Sequence, residues 1–175
     1  MRWSFVGAAV CILETHSESV PDKVRGLTRM VQVSPNLTLF DLTIRGLPAG
    51  RYQATVREAG DISRGAESTG GIWETLKDTL GIGRATRGQL GTVDVGKDGT
   101  GSVFIDKPVA IWEIIGRSMV VSNKPEGTFR MEDADTLVGV IARSAGVWDN
   151  DKTVCSCSGK NVWEERKEQL GKGMI

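Results

Sequence analysis

The sequence predicts an all-β protein, an antiparallel sandwich or barrel of eight strands. Short β-prone segments recur along the chain, and turn residues such as Lys97-Asp98-Gly99 separate them. In one segment Phe40, Leu42 and Ile44 recur at every second position, as in a half-buried strand. No long helical repeat accompanies them. The predicted strands are Val6 to Glu14, Leu27 to Val33, Thr38 to Ile44, Tyr52 to Glu58, Leu90 to Val95, Ser102 to Ile105, Arg117 to Ser122 and Leu137 to Ala142.

Two stretches interrupt this rhythm. Residues 59–88 are rich in glycine and long for a plain loop, which predicts a functional or partner-facing segment. After Ala142 the strand pattern stops, and residues 143–159 are predicted to be irregular. Residues 161–170 follow as a short amphipathic helix, whose predicted shared face comprises Val162, Trp163, Arg166 and Leu170.

Composition excludes several classes of protein. The 22 Lys and Arg balance 22 Asp and Glu, which favours neither nucleic acid nor anionic lipid as a general partner. The apolar run from Val6 to Leu13 is too short to span a membrane, and with Arg2 as its sole flanking base it does not resemble a signal peptide. We therefore expect a soluble, intracellular protein. Zinc and copper(II) enzyme sites usually use several imidazoles, so the single histidine, His16, cannot build one.

Two cysteines near the C-terminus, Cys155 and Cys157, are separated by one residue. Two soft thiolates suit Cu(I) in a nearly linear site, whereas structural zinc normally takes four ligands. A two-coordinate site admits an incoming ligand and can pass its ion on, and the same thiols can exchange disulfides. From the residues alone, a pair without a role remains the alternative. Cys11 is predicted to pack in the core, and His16 to lie at the surface.

Several segments follow one another in a recognisable order. They are Ala8 to Thr15, Gly60-Asp61, Leu90-Gly91 with Lys97 to Gly99, Ile114 to Ser118, Gly139 to Ala142, Ala142 to Trp148, Val154 to Cys157 and Val162 to Arg166. Together they resemble copper-zinc superoxide dismutase and, more closely, the copper chaperones of that enzyme in their fungal form. The resemblance implies an eight-stranded Greek-key barrel. It also implies a docking domain at 1–142 and a C-x-C copper-transfer tail at 143–175.

The same resemblance implies that the barrel has lost its metal site. The positions that match dismutase copper and zinc ligands hold other residues, namely Thr55, Arg57, Ile72, Gln89 and Ser122. Ala66 and Val138 stand where the dismutase disulfide cysteines would lie. Neither an active dismutase nor zinc in the barrel is therefore expected. Copper, as Cu(I), is expected only at Cys155 and Cys157.

The resemblance further implies docking on immature copper-zinc superoxide dismutase as a heterodimer, with a homodimer through the same face as a second assembly. The tail would deliver Cu(I) and promote the client disulfide, in the cytoplasm and in the mitochondrial intermembrane space. No nucleic acid or membrane partner is expected. The residues predicted at the docking face are Gly60, Asp61, Ile115, Gly116, Gly139, Val140, Ile141 and Ala142.

Related chaperones commonly begin with a Met-x-Cys-x-x-Cys domain, and nothing like it precedes Val10. Three readings stay open: the sequence is a fragment, the true start lies upstream, or this member works without that domain. Two other functions remain open: a metal-free binding module of dismutase fold, and a thiol oxidoreductase acting on the dismutase disulfide. Arg57, Arg84 and Arg87 are predicted to gather at the mouth of the lost metal site, where they face solvent, an anion or a partner's carboxylates. The residues predicted to serve in packing are Trp73, Trp112, Trp148 and Trp163.

Overall fold

The computed structural model describes residues 7–74 and 87–145. Cys155, Cys157, the predicted tail helix, Trp148, Trp163 and Arg84 lie outside these ranges. Within them the elements are β1 (Ala8–Glu14), β2 (Val24–Ser34), β3 (Leu37–Arg45), β4 (Gly50–Val56), β5 (Ser63–Ala66), β6 (Gln89–Val95), β7 (Thr100–Lys107), the single helical turn α1 (Ile111–Ile114), β8 (Ser118–Ser122) and β9 (Leu137–Ser144).

Eight of these strands form one antiparallel sheet in the order β6-β4-β8-β9-β1-β2-β3-β7. The two end strands, β6 and β7, are joined by a tight turn in which the Gly96 N–H donates to the Thr100 carbonyl at 3.0 Å. The sheet therefore curls into a nearly closed barrel, which leaves little edge for pairing with other chains. The predicted all-β, eight-stranded Greek-key fold is confirmed.

The core lies inside this barrel. On β3 the predicted alternation holds, with Phe40, Leu42 and Ile44 each at most 1% exposed and their neighbours turned outward. Cys11 on β1 is fully buried, as predicted. His16 was predicted at the surface, and this is wrong, because it is half-buried with its Nδ1 enclosed.

Three local features differ from the sequence prediction. Strand β5 lies inside the glycine-rich segment at 59–88, where no strand was predicted, because Ser63-Arg64-Gly65-Ala66 has no apolar alternation. It lies outside the eight-stranded sheet. The turn α1 is too short to leave a periodic signal. Strand β9 continues past Ala142 to Ser144, since Ser144 still pairs with Ala8 of β1.

The chain divides into two compact units, residues 1–144 and 145–175. The first is the barrel, and of the second only Ala145 is described. Across residues 7–74 and 87–145, no helix has both the length and the apolar character needed to cross a membrane.

Candidate functional site

Two of the positions expected to match dismutase copper ligands, Thr55 and Arg57, lie together at the end of β4. Thr55 lies in β4 and Arg57 directly after it, where the Arg57 N–H donates to the Ser118 carbonyl at 2.8 Å. Ser122 ends β8 and shares a 2.8 Å hydrogen bond with the Thr136 hydroxyl. Thr55, Arg57 and Ser122 are all buried. Thr55 and Arg57 therefore form an interior polar cluster, whereas Ser122 pairs across the sheet with Gln53 at the other end of β8.

Arg57 fills the middle of this cluster with its guanidinium group. Only 1% of the residue is exposed. One terminal nitrogen donates to Glu126 Oε2 at 2.9 Å and to Thr55 Oγ1 at 3.3 Å. The other donates to the Gly70 carbonyl at 2.6 Å and to Glu126 Oε1. The group is thus held by a bidentate carboxylate, a hydroxyl and a backbone carbonyl, an arrangement that suits its planar fork.

This end of the barrel is poorly suited to bind a metal ion. A guanidinium has only N–H donors and no free lone pair with which to ligate a cation. In the described part of the chain, no group of three or more His, Cys, Asp or Glu side chains is placed to hold one. The prediction that Arg57 faces solvent or a partner is wrong, because the side chain is buried on Glu126. Arg87 likewise has an internal partner, Glu113, at 3.0 Å.

The two positions that match the dismutase disulfide are filled by an apolar cluster. Ala66 of β5 and Val138 of β9 belong to one buried group with Val120, and Ile62 and Phe129 pack against it. Phe129 also lies beneath Arg57, with the guanidinium carbon 5.5 Å from the ring centroid. Van der Waals contacts therefore join β5, β9 and the segment that carries Phe129, and Phe129 adds a cation–π contact to Arg57.

A second region brings the predicted docking residues together on one face. Gly60 packs so tightly on the Gly116 carbonyl that a Cβ on Gly60 would overlap it. The Gly116 N–H donates to the Ile141 carbonyl at 2.9 Å, and the Ile141 N–H donates to the Arg117 carbonyl at 2.8 Å. The Gly60 segment, the Gly116 turn and β9 thus adjoin through their backbones.

The docking residues are not equally accessible within that face. Asp61, Gly116, Val140 and Ala142 are exposed, whereas Gly60 and Ile115 are partly buried. Gly139 and Ile141 are buried, and Ile141 belongs to the barrel core. The side chain of Ile141 therefore points away from any partner, and these two residues shape the face through their backbones. Whether the face binds a partner remains a prediction.

Trp112 belongs to the same face, although the sequence analysis did not assign it there. The predicted packing role is wrong, since Trp112 is 75% exposed, whereas Trp73 packs in the core as predicted. In α1 the side chains of Ile111 and Ile114 are buried, so Trp112 between them points outward. An open cavity of about 500 Å³ lies beside it, lined by Glu58, Trp112, Glu113, Ile115, Gly116 and Arg117.

Charged groups hold this cavity in shape. Arg117 donates to the Glu113 carbonyl at 2.9 Å and to the Glu58 carbonyl at 2.8 Å, and it stacks 4.9 Å from the Trp73 ring centroid. Glu113 accepts the Ala110 N–H at 2.8 Å at the start of α1. Nearby, the backbone N–H of Ser63 lowers the pKa of Asp61 by hydrogen bonding to its carboxylate. Asp61 therefore carries its charge on the face at neutral pH.

Comparison with known proteins agrees with this geometry. The sequence model of the copper/zinc superoxide dismutase family (SODC) matches residues 24–143. The chain is 44% identical over 173 residues to the superoxide dismutase 1 copper chaperone of Saccharomyces cerevisiae, covering 93% of this chain and 67% of that protein. The chain belongs to the copper chaperones for superoxide dismutase. It is also 44% identical to the chaperone of Candida glabrata, with 93% and 65% covered, and 34% identical to that of Rattus norvegicus, with 92% and 62% covered.

Membership in the chaperone family accounts for the two contrasting regions. The chain spans about two thirds of the length of these chaperones. The barrel has the dismutase fold, and Arg57, which is expected to match a copper ligand, is buried and paired with the partly exposed Glu126. Cys155 and Cys157 lie outside the described residues, and their role remains a prediction.

Proposed function

We propose that this protein carries Cu(I) to immature copper-zinc superoxide dismutase. The barrel docks on the client as a heterodimer, and the tail delivers the ion through Cys155 and Cys157. The observation that carries the proposal is Arg57, which sits buried with Glu126 at the place that matches the dismutase copper site. A dismutase-fold barrel with a guanidinium there is unsuited to dismutase chemistry but still suited to recognising a dismutase.

The docking face supports recognition of a related subunit. Dismutase-like pairing is isologous, so a face that accepts an identical subunit can accept a similar one, and a homodimer of this chain is the competing assembly. The exposed Trp112 and Val140 supply apolar area beside the cavity at Gly116. Aromatic side chains of this kind are enriched among residues that dominate binding energy.

Delivery follows from the chemistry of two thiolates. A Cu(I) ion held by Cys155 and Cys157 has open coordination positions, so a client ligand can bind before either sulfur leaves. Docking raises the local concentration of the tail cysteines at the client to the order of millimolar. Copper is the cargo here. It passes from the tail thiolates to ligands of the client and stays in the Cu(I) oxidation state.

An accessory disulfide step is compatible with the same thiols. A client thiolate attacks the oxidised Cys155–Cys157 pair, a mixed disulfide forms, and the second client thiolate releases the tail as two thiols. Dioxygen reoxidises the tail: the two thiols give up two electrons and two protons, the Cys155–Cys157 disulfide forms again, and dioxygen becomes hydrogen peroxide. Because the tail must start with free thiols to bind Cu(I), we further propose that the protein works in the reducing cytoplasm. The mitochondrial intermembrane space stays an expectation from the resemblance alone.

The test is reconstitution with the full chain, Cu(I), metal-free reduced dismutase and oxygen. The double variant Cys155→Ser with Cys157→Ser should lose Cu(I) uptake and dismutase activation, whereas Ser156→Ala, between the two cysteines, should retain both. Uptake that is unaffected by the double variant supports a binding module and contradicts the proposal. Client disulfide formation that needs the tail cysteines but no copper supports a thiol oxidoreductase instead.

A further inference from the structure

Arg57 connects parts of the barrel that lie far apart in the sequence. Its guanidinium contacts three separate parts of the barrel: Thr55 of β4, the Gly70 carbonyl and the Glu126 carboxylate. Gly70 belongs to residues 58–71, here named the docking loop because it contains Gly60 and Asp61. Glu126 belongs to residues 123–136, here named the cap loop. One side chain therefore ties both loops to the end of a core strand.

The contact at Gly70 leads directly to the docking face. Next to it, the Glu58 N–H donates to the Gly71 carbonyl at 3.0 Å, and the Ala59 N–H donates to the Thr69 carbonyl at 3.0 Å. Gly60 follows at once and packs on Gly116. The two arms of the docking loop are thus paired, and Arg57 holds the arm that does not adjoin β8. Loss of that contact would release this arm at the base of the docking face.

The cap loop restrains Arg57 from the other side. Glu126 supplies both carboxylate oxygens, and Phe129 lies against the guanidinium face. The cap loop is itself fastened by an ion pair between Lys124 and Asp133, and by the Met131 N–H, which donates to Glu67 of the docking loop at 3.2 Å. The counter-ion of Arg57 is therefore held in place by contacts that do not involve Arg57.

The link is an ion pair joined by two parallel hydrogen bonds. Because Arg57 is buried and Glu126 is partly exposed, salt screens this pair much less than an ion pair in solvent. Neither a thiol nor a metal ligand takes part in it. The order of the docking loop should therefore be independent of metal and of the redox state of the solution.

We propose that Arg57 is a positioning residue that preforms the docking face from inside the barrel. This proposal depends on the proposed function only for the identity of the partner, because the order of the docking loop is a property of this chain alone. Arg57 touches no docking partner, and it acts through Gly70 and the paired arms of the docking loop. The face is consequently ready to bind while the client is still metal-free and reduced.

Hydrogen exchange of the full-length chain tests the positioning role. In Arg57→Met, which keeps much of the apolar stem and removes every donor, the amides of Glu58 and Ala59 should exchange about tenfold faster, while core amides of β2 and β3 change little. Arg57→Lys, which keeps the charge without the fork, should be intermediate. Arg51→Met is the matched control, since Arg51 lies on β4 in an exposed pair with Asp94, and this variant should leave exchange unchanged. Equal acceleration throughout the sheet, or none in the docking loop, overturns the proposal.

Two further measurements complete the test. Exchange of the docking loop in the unmodified chain should be the same with EDTA, with zinc and with a phosphine reductant, and a change of several-fold with any of them overturns the proposal. Binding to metal-free, reduced dismutase should weaken about tenfold in Arg57→Met and stay unchanged in Arg51→Met. If Arg57→Met accelerates exchange in the docking loop but binds dismutase as tightly as the unmodified chain, the proposal is also overturned. If the unmodified chain does not bind dismutase at all, the proposed function fails, while the exchange experiment still decides the role of Arg57.

Discussion

The end of the barrel at Arg57 and the face at Gly60 and Gly116 depend on different kinds of contact. At the first, the buried Arg57 is paired with the partly exposed Glu126, so the side chains decide what the site can bind. At the second, Gly60 packs directly on the backbone carbonyl of Gly116. A metal site depends on particular side chains, whereas this face depends on the approach of backbones. A change of side chains can therefore remove a metal site and leave the shape of this face intact.

The largest loss of stability is expected from Gly139→Ala, which attacks the backbone geometry of the face. An added Cβ would overlap the Ile12 carbonyl and lie 2.9 Å from Cys11 Sγ, so β1 and β9 must move apart. We expect a loss of about 3 kcal/mol in the free energy of unfolding, measured by urea denaturation. Gly71→Ala is the control, because its nearest neighbour, the Glu58 carboxyl carbon, would be at 3.7 Å. Equal midpoints for the two variants would show that the backbone fit is not tight.

Glu126→Ala attacks the ion pair at the other region and should have the next largest effect. It leaves the buried charge of Arg57 without its carboxylate, so we expect a loss of about 2 kcal/mol, reduced from that of a fully buried pair because the Glu126 side chain is 46% exposed. Asp94→Ala removes the exposed partner of Arg51 and should cost less than about 0.5 kcal/mol. The idea of a structural ion pair fails if both variants unfold at the same urea concentration.

Cys11 gives a prediction about how the stability of the barrel depends on pH. Burial raises the pKa of Cys11 from 9.0 to about 12, an effect that a hydrogen bond from the Met119 backbone only partly offsets. Below pH 9 the thiol is neutral in both states, and between pH 9 and 12 only the unfolded thiol ionises, so stability falls through that window. Relative to Cys11→Ala, the unmodified chain should lose about 1 kcal/mol by pH 10, measured by denaturation at each pH.

Thiol titration at pH 8 provides an independent check on the same cysteines. Two thiols, Cys155 and Cys157, should react with a disulfide reagent in the native protein, and Cys11 only after unfolding. Reaction of all three at one rate would mean that the barrel does not protect Cys11.

The smallest effect on stability is expected from Trp112→Ala, which changes the face without touching the core. Because the side chain is 75% exposed, the free energy of unfolding should change by less than about 0.5 kcal/mol. Docking on metal-free dismutase should nevertheless weaken, as measured by calorimetry. Phe104→Ala removes an equally exposed aromatic side chain, 71% accessible, from β7 and should leave docking unchanged. If Trp112→Ala and Phe104→Ala lose the same affinity for dismutase, the docking contact lies elsewhere than at Trp112.

Much of the barrel could be predicted because alternating burial leaves a pattern along each strand. Phe40, Leu42 and Ile44 show it directly, and all eight sheet strands were anticipated to within a few residues. Strand β5 and the turn α1 were missed, since four residues are too few to carry a period. The outward position of Trp112 was missed for the same reason.

The sequence by itself determined the all-β class, the single histidine, the cysteine pair at 155 and 157, and the replacement of the residues that match metal ligands. Only the tertiary structure decided that Arg57 is buried on Glu126 rather than exposed, and that Gly60, Gly116 and Ile141 adjoin. The reason is physical. Strand periodicity is a local property of neighbouring residues, whereas the partner of a charge and the approach of two backbones depend on segments that are 25 to 69 positions apart in the chain.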